Sequence, residues 1–158
     1  MSDTAGPDLA VLKALTDAGW GFYRNPATQR ADDAMVRARA SDSLARAAAN
    51  VAAQERAARA AISAPTRENP LPDPAQLAAA RALRALREQI TALETRLRGS
   101  AAPPNRDGTA LVLSAAQGAA LIALDTALLA LAEDVAADGV LARLDDLLTR
   151  RAALMAWR

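Results

Sequence analysis

The sequence contains no cysteine and no histidine. The first absence excludes disulfide frameworks and thiolate chemistry. The second excludes every histidine-based triad and the Glu-x-x-His sets of di-iron bundles, and the two together exclude zinc-finger spacings. Lack of cysteine also fits a reducing compartment. Aromatic residues make up only 3 %, and apart from Trp157 they fall in one cluster at Trp20, Phe22 and Tyr23. So few aromatics suit neither a β-sandwich nor a base-stacking platform. Of 19 basic residues only Lys13 is lysine. With so much alanine and leucine, that is the bias a GC-rich coding sequence leaves, so arginine here is no sign of guanidinium chemistry in itself. Gly19 and Gly21 are not followed by the rest of either phosphate-binding motif. The stretch Met1 to Asp8 is acidic and has no apolar h-region, which predicts no signal peptide and a cytoplasmic location.

What is there is helix-forming. The chain has 158 residues, of which 52 % are hydrophobic, and a net charge of +1. That length buries a core without covalent staples, and that charge draws the protein to no polyanion as a whole. Proline and glycine cluster at 6–7, 19–26, 65–74, 99–108 and 139, and Ala, Leu, Arg, Glu and Gln fill the stretches between. The pattern predicts an all-α protein, an elongated bundle of about five helices with a coiled-coil-like antiparallel hairpin. The helices are expected at 8–18, from Asn25-Pro26 to Ala64, from Asp73-Pro74 to Gly99, from Thr109 to Asp138, and from Val140 towards the C-terminus. Residues 1–25 then form a short helix and an aromatic linker, 26–99 the long hairpin, and 100–158 an apolar central helix with an amphipathic one after it, all within one domain.

The helix faces differ in kind. Leu83, Leu86, Ile90, Leu93 and Leu97 are spaced three and four apart, an a/d seam two heptads long. It reads equally as the core face of a monomeric bundle or as a protein interface. Ala40, Leu44, Ala47, Val51, Gln54, Ala58 and Ala61 repeat the spacing with smaller side chains. Such a seam buries little area per residue and needs a larger-faced partner, which the Leu83–Leu97 face supplies. The 109–132 stretch has Asp125 as its one charge and is apolar all round, so it is either central in a bundle or within a membrane. An aspartate in mid-span costs ~3 kcal/mol to insert, which favours the bundle core over the membrane. Asp125 is then a buried charge that requires an arginine or hydrogen-bond donors, and it reads first as an intrabundle salt bridge that sets register. Arg150, Arg151 and Arg158 suit the negative end of the last helix dipole.

Charge is uneven along the chain. From Arg30 to Arg98 there are 12 basic and 8 acidic residues, while from Asp107 to Asp146 Arg143 stands alone against seven acidic residues. The acidic half packing beside the basic hairpin accounts for this. A basic face with Arg81, Arg84 and Arg87 that binds nucleic acid or another polyanion is the sharper reading, but no recognition-helix motif accompanies it. Asp134, Asp138, Asp145 and Asp146 read as solvated helix ends, and no serine has a base beside it.

The sequence therefore predicts a protein that is not an enzyme, with no cofactor and no metal. It predicts a structural or interaction protein that assembles through helix–helix packing with protein partners, as a homo-oligomer or as an adaptor in a larger complex. The interface candidates are Leu83, Leu86, Ile90, Leu93 and Leu97, with Trp20, Phe22 and Tyr23 as either a cap on the bundle or a docking segment. Two further readings are kept. One is a helical protein that coats a membrane or an apolar inclusion, and the other is the polyanion binder.

Overall fold

The computed structural model describes residues 23, 29–64, 66–68, 70–100 and 113–155. Within them the chain is all-helical, with four α-helices and no strand: α1 (Gln29–Ala60), α2 (Pro74–Gly99), α3 (Ala115–Glu133) and α4 (Val140–Met155). The expected fifth helix, 8–18, lies outside the described residues, as do Trp20, Phe22 and Trp157, so the count among those described is four rather than five.

The helix ends follow from local chemistry, and some differ from the sequence reading. No glycine or proline interrupts 27–64, which is why α1 runs for 32 residues. It stops at Ala60 rather than Ala64. Ala61 N–H still donates to Ala57 O, but Ile62 N–H bonds three residues back, to Arg59 O. That tightened turn unwinds the helix ahead of Pro65, whose ring bars the preceding residue from helical geometry. The start of α2 agrees with the sequence: Asp73 Oδ1 accepts from Ala75 N–H at 2.9 Å, and Pro74 takes the first helical position. α3 begins six residues later than expected. Ser114 Oγ accepts from Gln117 N–H and Gln117 Oε1 accepts from Ser114 N–H, a reciprocal capping box. Ser114 and Gln117 thus define the start of the helix that the apolar pattern had extended back to Thr109. Gly139, at φ 74, turns the chain through the left-handed region into α4.

α1 and α2 form an antiparallel hairpin. Cross-helix bonds join Arg37 to Ser100, Glu55 to Arg87 and Ser63 to Gln76, with numbers rising on one helix as they fall on the other. α3 and α4 form a second, shorter hairpin against it. α3 lies beside α1 and runs the same way, tied by Ser43 Oγ to Glu133 Oε1 at 2.8 Å. α4 lies beside α2, where Arg96 donates to Asp145 and to Thr149. The principal packing pairs are α1 with α2 and α3, and α4 with α3 and α2. The core lies where all four helices overlap. Its largest fully buried apolar side chains are Tyr23, Val36, Leu44, Ile90, Leu97, Leu121, Leu128 and Leu144.

The hairpins end at different heights. At 1.5 Å per residue α1 is about 48 Å long and α3 about 29 Å. Glu133, at the end of α3, meets α1 at Ser43 and Arg46. Beyond that level α1 and α2 continue as a two-helix arm, 47–60 with 74–89. Among its described residues only Val51, Glu55 and Ala80 are buried. The seams read from sequence are therefore spent unequally. Ile90, Leu93 and Leu97 are consumed in the chain's own core, whereas Leu83 and Leu86 are partly buried. Gln54 on α1 and Ala61 just past its end are exposed, and Glu55 takes the inward position instead.

Ser41 lies in the α1–α2 interface, 2 % exposed, and its Oγ is the one buried side-chain polar atom without a partner among the described residues. A buried unpaired hydroxyl costs about 1–3 kcal/mol. Ser41→Ala should therefore leave stability unchanged or raise it by about 1 kcal/mol, as a rise in the midpoint of urea unfolding.

Candidate functional site

Where the four helices overlap, the apolar core is interrupted by a connected set of charges. Asp33 comes from the second turn of α1, Asp125 from the middle of α3 and Arg151 from the last turns of α4. Tyr23 approaches from the segment before α1. Arg151 Nε donates to Asp125 Oδ1 at 2.7 Å and Arg151 Nη2 to Asp33 Oδ1 at 2.6 Å. Tyr23 Oη donates to Asp125 Oδ2 at 2.5 Å. The other oxygen of Asp33 accepts from Arg37, whose Nη1 continues to the backbone carbonyl of Ser100 at the end of α2. The network thus touches all four helices. Asp125 is 1 % exposed and Arg151 3 %.

Tyr23 is held by its backbone as well as its ring. Its N–H donates to Asp32 Oδ2 at 3.0 Å, and its carbonyl accepts from Gln29 Nε2 at 2.8 Å. These clamps hold a tyrosine at φ 60, a left-handed conformation that costs a non-glycine residue about 1–3 kcal/mol. A methyl group built on Gly118 would stand 3.9 Å from the Tyr23 Cβ, an ordinary van der Waals contact, so Tyr23 packs directly on α3.

Burial decides the electrostatics. It pushes the Tyr23 phenol above its ordinary value, and the neighbouring Asp125 carboxylate pushes the same way, so the phenol stays protonated as the donor. Burial also raises Asp125 above 3.8, against the opposing charge and hydrogen bond of Arg151. For Arg151, burial works against the cation, but Asp125 outweighs it and the net shift is upward. Arg37 and Arg151 are matched by Asp33 and Asp125, with the buried Asp32 carboxylate on the Tyr23 N–H beside them, so the set has no excess of cation to recruit an anion.

A second, smaller ion cluster stands on the arm. Glu55 lies between Arg59, at 2.8 Å, and Arg87, at 3.0 Å. Its partial burial pushes upward, yet the hydrogen bond from Arg59 and the charge of Arg87 hold its carboxyl below the ordinary range.

The sequence-predicted residues divide accordingly. Asp125 meets Arg151, which the sequence suggested only as a dipole-complementing surface charge. Tyr23 is 2 % exposed and packs into the bundle, so its ring offers no docking surface. Sequence reasoning missed Asp33 and Arg37, whose four-residue spacing on α1 looked like any surface ion pair, and Glu55. Asp134, Asp138, Asp145 and Asp146 are all exposed, and no group of acidic residues suited to a metal ion occurs among the described residues.

Three surface recesses accompany the network. A cavity of about 330 Å³ lies between the ends of α2 and α4, walled by Arg96, Ser100, Leu148, Arg151 and Met155. A second, of about 320 Å³, opens between α1 and α2 at Arg37, Ser41 and Arg98. A more apolar groove of about 680 Å³ runs between α3 and α4, lined by Ala120, Ala123, Leu124, Ala127 and Leu154. Ser41 and Asp42 both line the second, but Ser41 Oγ has no hydrogen-bond partner, so no base is in place to activate it. The segment Ala116–Glu133 is long and apolar enough to cross a membrane by length and composition, and 39 % of it is buried inside the bundle.

No protein-family model matches the chain, and no curated protein or solved structure is significantly similar to it.

Removing the cation of a buried pair leaves unpaired charge and costs about 3–5 kcal/mol. Arg151→Met should lose that much in denaturant unfolding. Asp125 itself titrates with the opposite sign to ordinary acid denaturation. Its folded value is raised, so between 3.8 and that value the native state holds a proton the unfolded chain lacks, and stability from this group grows as pH falls through the window. The stability of the natural chain relative to Asp125→Asn should therefore rise from pH 7 to pH 4. A flat or falling difference would show that the carboxyl is not raised.

Proposed function

We propose that this chain is a non-enzymatic interaction protein that assembles by helix–helix packing, with its two-helix arm as the contacting part. The observation that carries the reading is the unequal length of the two hairpins. One face of the arm lies in line with α3 and α4 but extends past them. Leu83 and Leu86 stand on it, only partly covered, at the outer end of the seam whose other members close the core. A two-helix hairpin seamed largely by alanine buries little area for its length and gains much from a third and fourth helix.

The buried network supports a rigid base for such an arm. It is internally satisfied and largely buried, which suits fastening rather than turnover. One recess holds Ser41 and Asp42 with no hydrogen bond to the Ser41 hydroxyl, and the rest of the lining is chiefly arginine, alanine and leucine, which is poor equipment for acid–base or nucleophilic work. α3 is read as a bundle-core helix, since Asp125 finds its cation within the chain and Leu121, Leu124 and Leu128 are buried there.

A photo-crosslinking residue at Ala82, exposed on the arm face, and another at Ala31, exposed on the base, test the reading in the producing cell. Crosslinked protein is expected from position 82 and little from position 31. No product from 82, or equal products from both, would remove the arm as an interface.

A further inference from the structure

The recess between α1 and α2 holds polar groups that the described residues leave unused. Its volume of about 320 Å³ is at the lower end for small-ligand sites. Ala34, Ala38 and Asp42 follow one another at four-residue steps along α1 and form one row of its wall, while Arg37 and Ser41 form the next row. Arg98 completes the lining from α2. Ser41 is buried, and its Oγ has no hydrogen-bond partner. A buried hydroxyl in that state normally meets a partner from outside the chain. The charges around it are unevenly matched. Arg37 is paired with Asp33 and Arg98 with Glu94, so neither cation is left over for a free anion. A guanidinium carries five N–H donors, however, and Arg98 binds Glu94 through Nε, so its terminal nitrogens keep donors to spare. Asp42 is exposed and forms no ion pair among the described residues. Arg46, one turn further along, is bound to Ser43 and Glu133 instead.

We propose that this recess binds a small α-amino acid. Its ammonium group pairs with Asp42, and its carboxylate accepts from the spare N–H donors of Arg98 and from the Ser41 hydroxyl. The charge count selects the ligand class. The one unmatched charge is a carboxylate, so the ligand must bring a cation. The unused groups of Arg98 and Ser41 are donors, so the same ligand must bring an acceptor. A free anion would face Asp42 with nothing to offset it, and a simple amine would leave Ser41 and Arg98 as they are. A zwitterion answers both, and each of its bonds is charge-assisted. The site is independent of the arm and places a ligand on the base, next to the Arg37 end of the buried network.

Amide chemical-shift titration of the full chain by NMR, with glycine, L-alanine and L-serine each taken to about 100 mM, tests the proposal. At least one of them is expected to bind saturably with a dissociation constant of about 1–10 mM, and the shifts should centre on residues 34–42 and on Arg98. Acetate and ethylammonium, the two halves of the zwitterion, should bind about tenfold more weakly or not at all. Ser41→Ala should weaken the amino acid about fivefold while its unfolding midpoint stays level or rises. Loss of structure would not produce that split. Asp42→Asn, at an exposed position, should weaken it about tenfold and leave helicity by circular dichroism unchanged. Absence of a saturable shift with all three amino acids overturns the proposal, and a recess filled by water alone gives that result. Acetate binding as well as the amino acid overturns it too, as does unchanged affinity in Ser41→Ala.

Discussion

Everything in the base of this protein depends on one buried cation. Arg151 stands between Asp33 and Asp125 and holds α4 to α1 on one side and to α3 on the other. Charges taken out of water are costly, and the cost is offset only where the geometry satisfies each lone pair and each donor. Here Tyr23 supplies the hydrogen bond that Asp125 still needs, and Arg37 supplies the one that Asp33 needs. Sliding α4 by one turn along α3 moves Arg151 about 5.4 Å from its partners, which leaves Asp125 without a cation and Asp33 with Arg37 alone. Leucine against leucine tolerates such slippage far better. The network therefore specifies register, while the leucines around it supply the bulk of the burial.

The same constraint explains why the base and the arm differ. In the base, four helices surround the charges, and the surrounding apolar contacts keep water away from them. In the arm, two helices share a seam of alanine, Val51 and the Glu55 cluster, open to solvent on both sides. Glu55 works there as a wet version of the same device, pinning α1 against α2 through Arg87 while Arg59 shields it. The molecule thus joins a well-specified block to a projecting element whose outer faces are covered by no other described helix.

Much of the fold was legible in the sequence because it is written in punctuation. Pro65, Asp73-Pro74 and Gly139 bound helices by steric and capping rules that act over a few residues, and α2 ends at Gly99 where glycine placed it. The late start of α3 was legible too, since Ser114-x-x-Gln117 is a capping-box pattern, but the apolar run around it drew the helix back to Thr109. The need of Asp125 for a donor followed from its apolar surroundings. Its partner did not, because Arg151 differs from Arg150 only in which way it faces, and that is fixed by packing over a separation of 26 residues. Asp33, and the bond from Tyr23 to Asp125, were hidden for the same reason. The division of the Leu83–Leu97 seam between core and arm depends on where α3 and α4 stop, which no periodicity on α2 records.

The separation of block from arm has an evolutionary corollary. Within the arm, the inward residues pack against the facing helix of the same hairpin. Inserting or deleting seven residues in α1 together with seven in α2 preserves the seam's phase and leaves the buried charges untouched. Such paired changes alter the reach of the projection by about 10 Å at a step. The base would act as an invariant socket, and the distance it spans would be adjustable in quanta without refolding the rest.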